Sequence, residues 1–297
     1  VALMTFILVR FLDYDIADSI LNAVPFGIIS SAVAISSTYN LSNDQKEFIV
    51  YESSLSDIIG ILFFDFIIMY SGSIGYGLLS FTFNGIVTLI LALIISSVLA
   101  LFLHKINYHI NYIIILTALI LVYVLAELVH LPALLLVMAF GIVLANNNLV
   151  ENTRINKFVN FSIFRNDLKS FKRVMNEFTF VVRSFFFIMF GYYSSIDGLF
   201  DLGNVITACL IIAGIYFLRI IFLKLFLRIP AFPYLFFSPR GLVTILLFLK
   251  IPAASRITHI NEEVVTLVIL LTILFMVIGN IFTKQDILPK DEYSIEY

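Results

Sequence analysis

Two carboxylates, Glu52 and Asp57, stand among serines in the stretch 52-ESSLSD-57, inside a long apolar run. An ionised side chain at the centre of a membrane span costs about 2.5–3.5 kcal/mol, so acids in such a run are functional candidates. On a helix with 100° per residue, these two acids lie roughly 140° apart and face different neighbours. We therefore expect them to have different roles rather than to share a proton.

Arg240 lies at the break of another apolar run and is the partner that we predict for Glu52. A guanidinium keeps its proton in proteins, and a bidentate Arg–carboxylate pair meets much of the hydrogen-bonding demand of both groups. With Glu52 and Arg240 forming a structural ion pair, Asp57 has no obvious counter-charge. A buried carboxylate in that position takes up a proton readily, so Asp57 is the predicted exchange site for protons and cations.

Three further charged residues, Asp65, Arg183 and Arg219, lie well inside predicted spans and are candidate pathway residues. On a helix, Asp65 would lie about 80° round from Asp57 and roughly 12 Å further along the axis. Asp65 could line the outer mouth of an ion pathway, or it could pair with Arg183 or Arg219. The sequence leaves both interpretations open.

The elements that must position these residues are membrane helices. Of the 297 residues, 61% are hydrophobic and 13% are charged, which is typical of an integral membrane protein. The apolar runs are long enough for helices rather than membrane strands, so we predict an all-α polytopic bundle. The chain opens at Val1 inside an apolar run, and we expect its first spans to be missing. The predicted segments are 1–12, 16–37, 47–70, 79–104, 110–129, 131–146, 176–193, 203–227, 233–250 and 263–283.

Two of these segments are interrupted by Pro, Gly and Ser, within 24–37 and 235–248. Such breaks free backbone groups that lipid cannot satisfy, so they are tolerated where they face protein or water. A matched pair of interrupted spans indicates an inverted-repeat transporter with its site at the membrane midplane. The alternative is two ordinary proline kinks, since Pro and Gly are common in membrane helices.

Charge in the connections predicts the orientation of the bundle. The connection at 146–177 has six basic residues against three acids, which predicts a cytoplasmic location, and alternation then places the tail 284–297 on the same side. Within it, residues 151–177 form a basic, amphipathic connection. This connection is interpreted either as a helix on anionic lipid at the inner membrane surface or as a solvated linker. The net charge of −2 gives no indication of nucleic-acid binding.

Four stretches resemble one known family. The stretch 52-ESSLSD-57 is similar to the Glu-Ser-x-x-Asn-Asp motif of the sodium/proton exchanger branch of the monovalent cation/proton antiporter superfamily, and 239-PRGLVTILLFL-249 resembles its Arg-Gly-Ala-Val helix. Weaker similarities lie at 126–147 and 182–197. The resemblance implies an inverted-repeat antiporter fold with two crossed, discontinuous helices, forming one transmembrane domain over 1–297. It also implies a homodimer, which we expect in the cell (inner) membrane with the cytoplasmic C-terminus that the charged connections predict.

Carried over residue by residue, Asp57 matches the ion- and proton-binding aspartate of the family, and Glu52 and Arg240 match its buried ion pair. Ser56 stands where the family has Asn. The unwound helix, commonly Thr-Asp-Pro in the family, reads 30-SSAVA-34 here, so Ser30 and Ser31 offer hydroxyl and carbonyl oxygens.

The expected function is secondary antiport, in which a proton and one monovalent cation, Na⁺ or K⁺, compete for Asp57. One titrating carboxylate exchanges one proton for one cation, so electroneutral exchange without a cofactor is predicted. Alkali cations prefer oxygen ligands, and the predicted metal site is Asp57 with hydroxyl oxygens from Ser56, Ser53, Ser30 and Ser31.

Alternatives to this transporter are a cation channel, a degenerate protein of the same fold and an intramembrane enzyme. Channel gates and filters also use broken helices and buried acids. An aspartyl protease is disfavoured because its two aspartates must share a site, and Asp57 and Asp65 lie too far apart on one helix.

Overall fold

The computed structural model describes residues 1–69, 82–83, 85–87, 90–91, 94–95, 111–128, 133, 136–137, 141, 161–193 and 196–283. These residues form helices joined by short connections, and no strand occurs among them. The predicted all-α polytopic membrane fold is confirmed. The α-helices are α1 (Ala2–Leu12), α2 (Ile16–Gly27), α3 (Ser31–Ala34), α4 (Asn43–Met69), α5 (Asn111–Leu128), α6 (Phe161–Tyr193), α7 (Ile196–Leu199), α8 (Leu202–Ile221), α9 (Leu242–Lys250) and α10 (Glu262–Phe282).

Four helical stretches of the described chain are long and apolar enough to cross a membrane. They agree with the predicted segments 16–37, 176–193, 203–227 and 263–283. The predicted segments 79–104 and 131–146 fall largely outside the described residues. The four stretches are Ile16–Asn40, Ser170–Tyr192, Leu202–Phe226 and Glu262–Phe282.

The basic connection is helical where the structure describes it. Its residues 161–177 form the first half of α6, which runs without interruption from Phe161 to Tyr193 and so includes the following span. Residues 151–160 and the predicted tail 284–297 lie outside the described residues. The location of the connection on a cytoplasmic membrane surface stays a prediction.

The chain divides into two compact units, one formed by Val1–Ile68 with Ile188–Tyr297 and the other by Met69–Phe187. The first unit holds both interrupted segments together with α4, α8 and α10. The second unit includes a small apolar cluster of Ala126, Ala133 and Leu136. The single transmembrane domain inferred from the sequence stays a prediction.

Polar caps fix where three helices of the first unit begin. Asp15 caps α2 by accepting from the Ala17 amide at 3.0 Å, and Asp201 caps α8. Asn261 caps α10, and its side-chain amide also donates to Asn204 in the first turn of α8 at 3.0 Å. A side-chain oxygen at the N-cap satisfies amides that have no partner within the helix, so each helix starts at a defined residue.

Two buried asparagines hold the first interrupted segment at its two ends. Asn22 in α2 is fully buried and donates to the Ser255 carbonyl at 2.7 Å. Asn280 in α10 donates to the Ser37 carbonyl at 3.0 Å, in the 3₁₀ turn Ile35–Asn40 that follows α3. Both ends of the segment are therefore fastened to the C-terminal part of the first unit, and the break between them is held in place.

Candidate ion-binding site

The breaks of the two interrupted segments lie against each other. The first break separates α2, which ends at Gly27, from α3, and the second is the extended stretch before α9. The Ser30 amide donates to the Pro239 carbonyl at 2.9 Å across the two breaks. A Cβ on Gly241 would lie 2.7 Å from Ser30 Oγ and 3.1 Å from Ser30 Cβ, so a larger residue there would displace the Ser30 side chain. The two segments with predicted interruptions therefore meet at their breaks.

Helix α4 supplies partners for backbone groups that the first break frees. The Ile29 amide donates to Ser56 Oγ at 3.0 Å, and the Ser31 amide donates to Asp57 Oδ2 at 3.1 Å. The Ser31 hydroxyl donates to the same carboxylate oxygen. Amides that have left a helix need such acceptors inside a membrane protein, because lipid offers none.

The second carboxylate oxygen of Asp57 differs from the first, because none of the described residues donates to it. Asp57 Oδ1 is buried and has no hydrogen-bond partner within the described part of the chain, and the same is true of Ser30 Oγ. Ser30 is next in the chain to Ser31, which holds Asp57 Oδ2. Buried polar atoms normally have partners, so an acceptor without a donor is the kind of atom that binds a proton or a hard cation.

Glu52 forms its ion pair with Arg219 in α8, so the predicted Glu52–Arg240 pair is wrong. The two Arg219 terminal nitrogens donate to the two Glu52 carboxylate oxygens, each at 2.8 Å. Arg219 also donates to the Tyr234 carbonyl through Nε at 3.0 Å and Nη2 at 2.8 Å. The sequence analysis considered Arg219 as a partner of Asp65 and not of Glu52, because nothing in the sequence shows which face of α8 packs against α4.

Arg240 has backbone carbonyls as partners instead of a carboxylate. Its Nε donates to the Phe26 carbonyl at 2.9 Å and its Nη1 to the Ser238 carbonyl at 2.6 Å. Phe26 lies in the last turn of α2, where carbonyls have no helical donor and the helix dipole favours positive charge. The break itself therefore supplies the partners of Arg240. The position of an arginine beside a break was the signal that could have indicated this role.

A family comparison agrees with this geometry. Residues 1–284 match the family described as "Sodium/hydrogen exchanger, transmembrane". The chain belongs to the sodium/hydrogen exchanger family. No curated protein matches the chain. Membership confirms the family resemblance of the sequence and supports a cation/proton antiporter, and the members of this family are transporters rather than enzymes.

The predicted serine ligands of this exchanger differ in what their hydroxyls contact. Ser30 and Ser31 lie at the first break, and Ser56 accepts from the backbone of that break. Ser53 is fully buried, and its hydroxyl donates to the Ile49 carbonyl one turn earlier in α4 at 2.7 Å. The Ser53 hydrogen is therefore used within its own helix, and a role for Ser53 as an ion ligand stays a prediction.

The three candidate pathway residues of the exchanger belong to different helices, α4, α6 and α8. Asp65 Oδ1 is 3.6 Å from Lys250 Nζ at the end of α9, and both side chains are partly exposed. Arg219 pairs with Glu52, while Arg183 lies in the part of α6 that belongs to the second unit. Sequence reasoning missed Lys250 as a partner of Asp65, although its position in the last turn of α9 was visible. The pathway roles stay predictions.

Proposed function

We propose that this chain is a cation/proton antiporter in which Asp57 binds a proton and one monovalent cation, Na⁺ or K⁺, in alternation. The observation that carries the proposal is the buried Asp57 Oδ1, which has no donor among the described residues and lies beside the contact between the two breaks. A carboxylate oxygen in that position can take either H⁺ or a metal cation, but not both at once.

The arrangement of the buried arginines supports a mobile counter-ion at Asp57. The guanidinium of Arg219 donates to Glu52 and to the Tyr234 carbonyl. The guanidinium of Arg240 donates to the Phe26 and Ser238 carbonyls. In the described part of the chain, neither arginine forms a salt bridge with Asp57. A bound proton or cation would then balance the charge on Asp57.

This balance predicts electroneutral exchange. The site has the same charge when Asp57 is protonated as when it is ionised with one monovalent cation bound. One proton then replaces one cation in each cycle, and no net charge crosses the membrane. Movement of one repeat against the other would expose Asp57 to each side in turn.

Oxygen atoms at the first break support a hard alkali cation as the substrate. The Ser31 hydroxyl donates to Asp57, and Ser30 and Ser56 are neighbours in the chain of Ser31 and Asp57. Hydroxyl oxygens suit alkali cations better than soft metals. The vesicle assay described next compares Na⁺ with K⁺ as the transported ion. The homodimer, the cell (inner) membrane and the cytoplasmic C-terminus belong to the same proposal, and they rest on the family resemblance and the charge of the connections.

The proposal is tested in everted vesicles that contain the full chain and an imposed pH gradient. Addition of Na⁺, K⁺ or Li⁺ should collapse the gradient for at least one of these ions, without a change in membrane potential. The Asp57→Asn variant should lose this response, while Asp201→Asn should retain it, because an asparagine at the exposed N-cap of α8 preserves the cap.

Two outcomes would contradict the proposal. Collapse of the gradient by folded Asp57→Asn protein at the wild-type rate would exclude Asp57 as the exchange site. A cation current that follows the membrane potential would indicate a channel instead of an electroneutral antiporter.

A further inference from the structure

Thr244 lies in the first turn of α9 and has a buried side-chain hydroxyl. The residue is 1% exposed, and its Oγ1 has no hydrogen-bond partner in the described chain. Sequence analysis did not select it, because a threonine in an apolar helix is normally accounted for by its own backbone. A buried hydroxyl without a partner is costly, so its presence calls for a ligand.

Other threonines of the structure show what a helical threonine usually does. Each of five donates to a carbonyl three or four residues earlier in the chain, at 2.7 to 3.0 Å. Such back-bonding satisfies the hydroxyl without any ligand. These five are Thr179, Thr207, Thr266, Thr272 and Thr283. Thr5 in α1 is an exception, because its buried hydroxyl has no partner among the described residues.

The second break changes one of the two usual acceptors of Thr244, the carbonyl four residues earlier. The other, the Gly241 carbonyl, accepts from the Ile245 amide at 3.3 Å. The residue four positions earlier is Arg240, which precedes the N-cap Gly241, and Gly241 has a non-helical φ of −167° and ψ of −142°. The Arg240 carbonyl is therefore not in the position that a helix would give it. The same break that brings the two interrupted segments together also leaves this hydroxyl available.

Thr244 lies close in the chain to the contact between the breaks. It is in the first turn of α9, three residues after the N-cap Gly241. Helical side chains lean toward the N-terminus, which brings Thr244 over the turn that contains Gly241. A Cβ on Gly241 would be 2.7 Å from Ser30 Oγ, the unpartnered hydroxyl of the first break.

We infer that Thr244 is a cation ligand that sets the affinity for the transported ion, acting with Ser30 Oγ and Asp57 Oδ1. This inference rests on the proposed function and extends it, because it adds a ligand from the second interrupted segment to those of the first. Asp57 supplies the charge and accepts either ion. The two hydroxyls donate lone pairs to an alkali cation but are not needed by a proton, so they favour the cation in the competition.

The test measures the cation concentration that gives half-maximal collapse of a pH gradient in vesicles with the full chain. Thr244→Val keeps the size of the side chain and removes the hydroxyl, and it should raise this concentration about tenfold, which is about 1.4 kcal/mol. The maximal rate at high cation concentration should remain. Thr266→Val is the matched control, because Thr266 is a buried threonine of α10 whose hydroxyl donates to the Glu262 carbonyl at 2.7 Å. This replacement should leave the half-maximal cation concentration within twofold of wild type.

A second pair of variants keeps the test usable if Thr244→Val fails to fold. Thr244→Ser and Thr244→Ala both lose the methyl group and differ only in the hydroxyl. The serine variant should resemble wild type, and the alanine variant should show the raised half-maximal concentration.

Each result separates this inference from the function on which it rests. A half-maximal concentration that Thr244→Val, or the Ser and Ala pair, leaves unchanged would overturn the role of Thr244 and leave Asp57 exchange intact. An equal shift in Thr266→Val would also overturn it, since any buried hydroxyl would then have the same effect. A wild-type chain that moves no protons with any cation would overturn both.

Discussion

Replacing Arg219 with methionine removes four hydrogen bonds, two to the Glu52 carboxylate and two to the Tyr234 carbonyl. Removal of one partner from a buried ion pair costs about 3–5 kcal/mol, because the remaining charge has no compensation. The Glu52 side chain keeps 20% of its exposure and can recover some hydration. We therefore expect Arg219→Met to lower the free energy of unfolding by about 3 kcal/mol, near the lower end of that range.

A double-mutant cycle separates this pair from the alternative that the sequence suggested. Glu52→Gln combined with Arg219→Met should give a coupling energy of about 2 kcal/mol, because each single change already breaks the same contact. Glu52→Gln combined with Arg240→Met should give less than about 1 kcal/mol, since the guanidinium of Arg240 donates to carbonyls and not to Glu52.

The coupling energies can be measured by equilibrium unfolding of the purified chain in detergent with increasing SDS. All four proteins of each cycle are compared at the same lipid and salt composition. A larger coupling energy for the Arg240 cycle than for the Arg219 cycle would refute the assignment of Arg219 as the partner of Glu52.

Two further predictions concern α4. In Gly60→Ala, the added Cβ would lie 2.3 Å from the side chain of Ile28, which is buried at the first break; we expect about 1–3 kcal/mol of destabilisation and slower exchange. Gly191→Ala, where the added Cβ meets no atom within 4 Å, is the control and should transport normally in the vesicle assay. Lys250→Ala should cost less than about 1 kcal/mol in SDS unfolding, because Lys250 and Asp65 are 59% and 34% exposed, and the cost should shrink as salt is added. A large loss that is independent of salt would contradict this expectation.

Much of the fold follows from features that a sequence carries locally. Long apolar runs predicted the helices because lipid permits few other structures, and the interruptions at 24–37 and 235–248 predicted the two breaks. The acid at Asp57 predicted a functional site in α4, since burial of a carboxylate within lipid is otherwise costly. Each of these inferences depends only on a short local stretch of the sequence.

The contacts between helices could not be predicted in the same way. The choice of Arg219 for Glu52 depends on how α4 and α8 face each other, which no local pattern shows. A carboxylate was predicted as the partner of Arg240 because a buried charge needs compensation. The backbone carbonyls that the break leaves free beside Arg240 were not considered. The Thr244 hydroxyl was not selected for a related reason. The position of the Arg240 carbonyl, one of its usual acceptors, depends on the conformation of Gly241, which the sequence does not show.

The most direct test of the central claim is the release of protons when a cation binds to the purified chain. Titration calorimetry with Na⁺ or K⁺, in buffers that differ in ionisation enthalpy, reports the number of protons released per cation bound. If H⁺ and the cation compete for Asp57, wild type at a pH where the site is protonated should release about one proton per cation, and Asp57→Asn should release none. Wild-type proton release by a folded Asp57→Asn chain, or cation binding by wild type without proton release at every pH, would contradict the account.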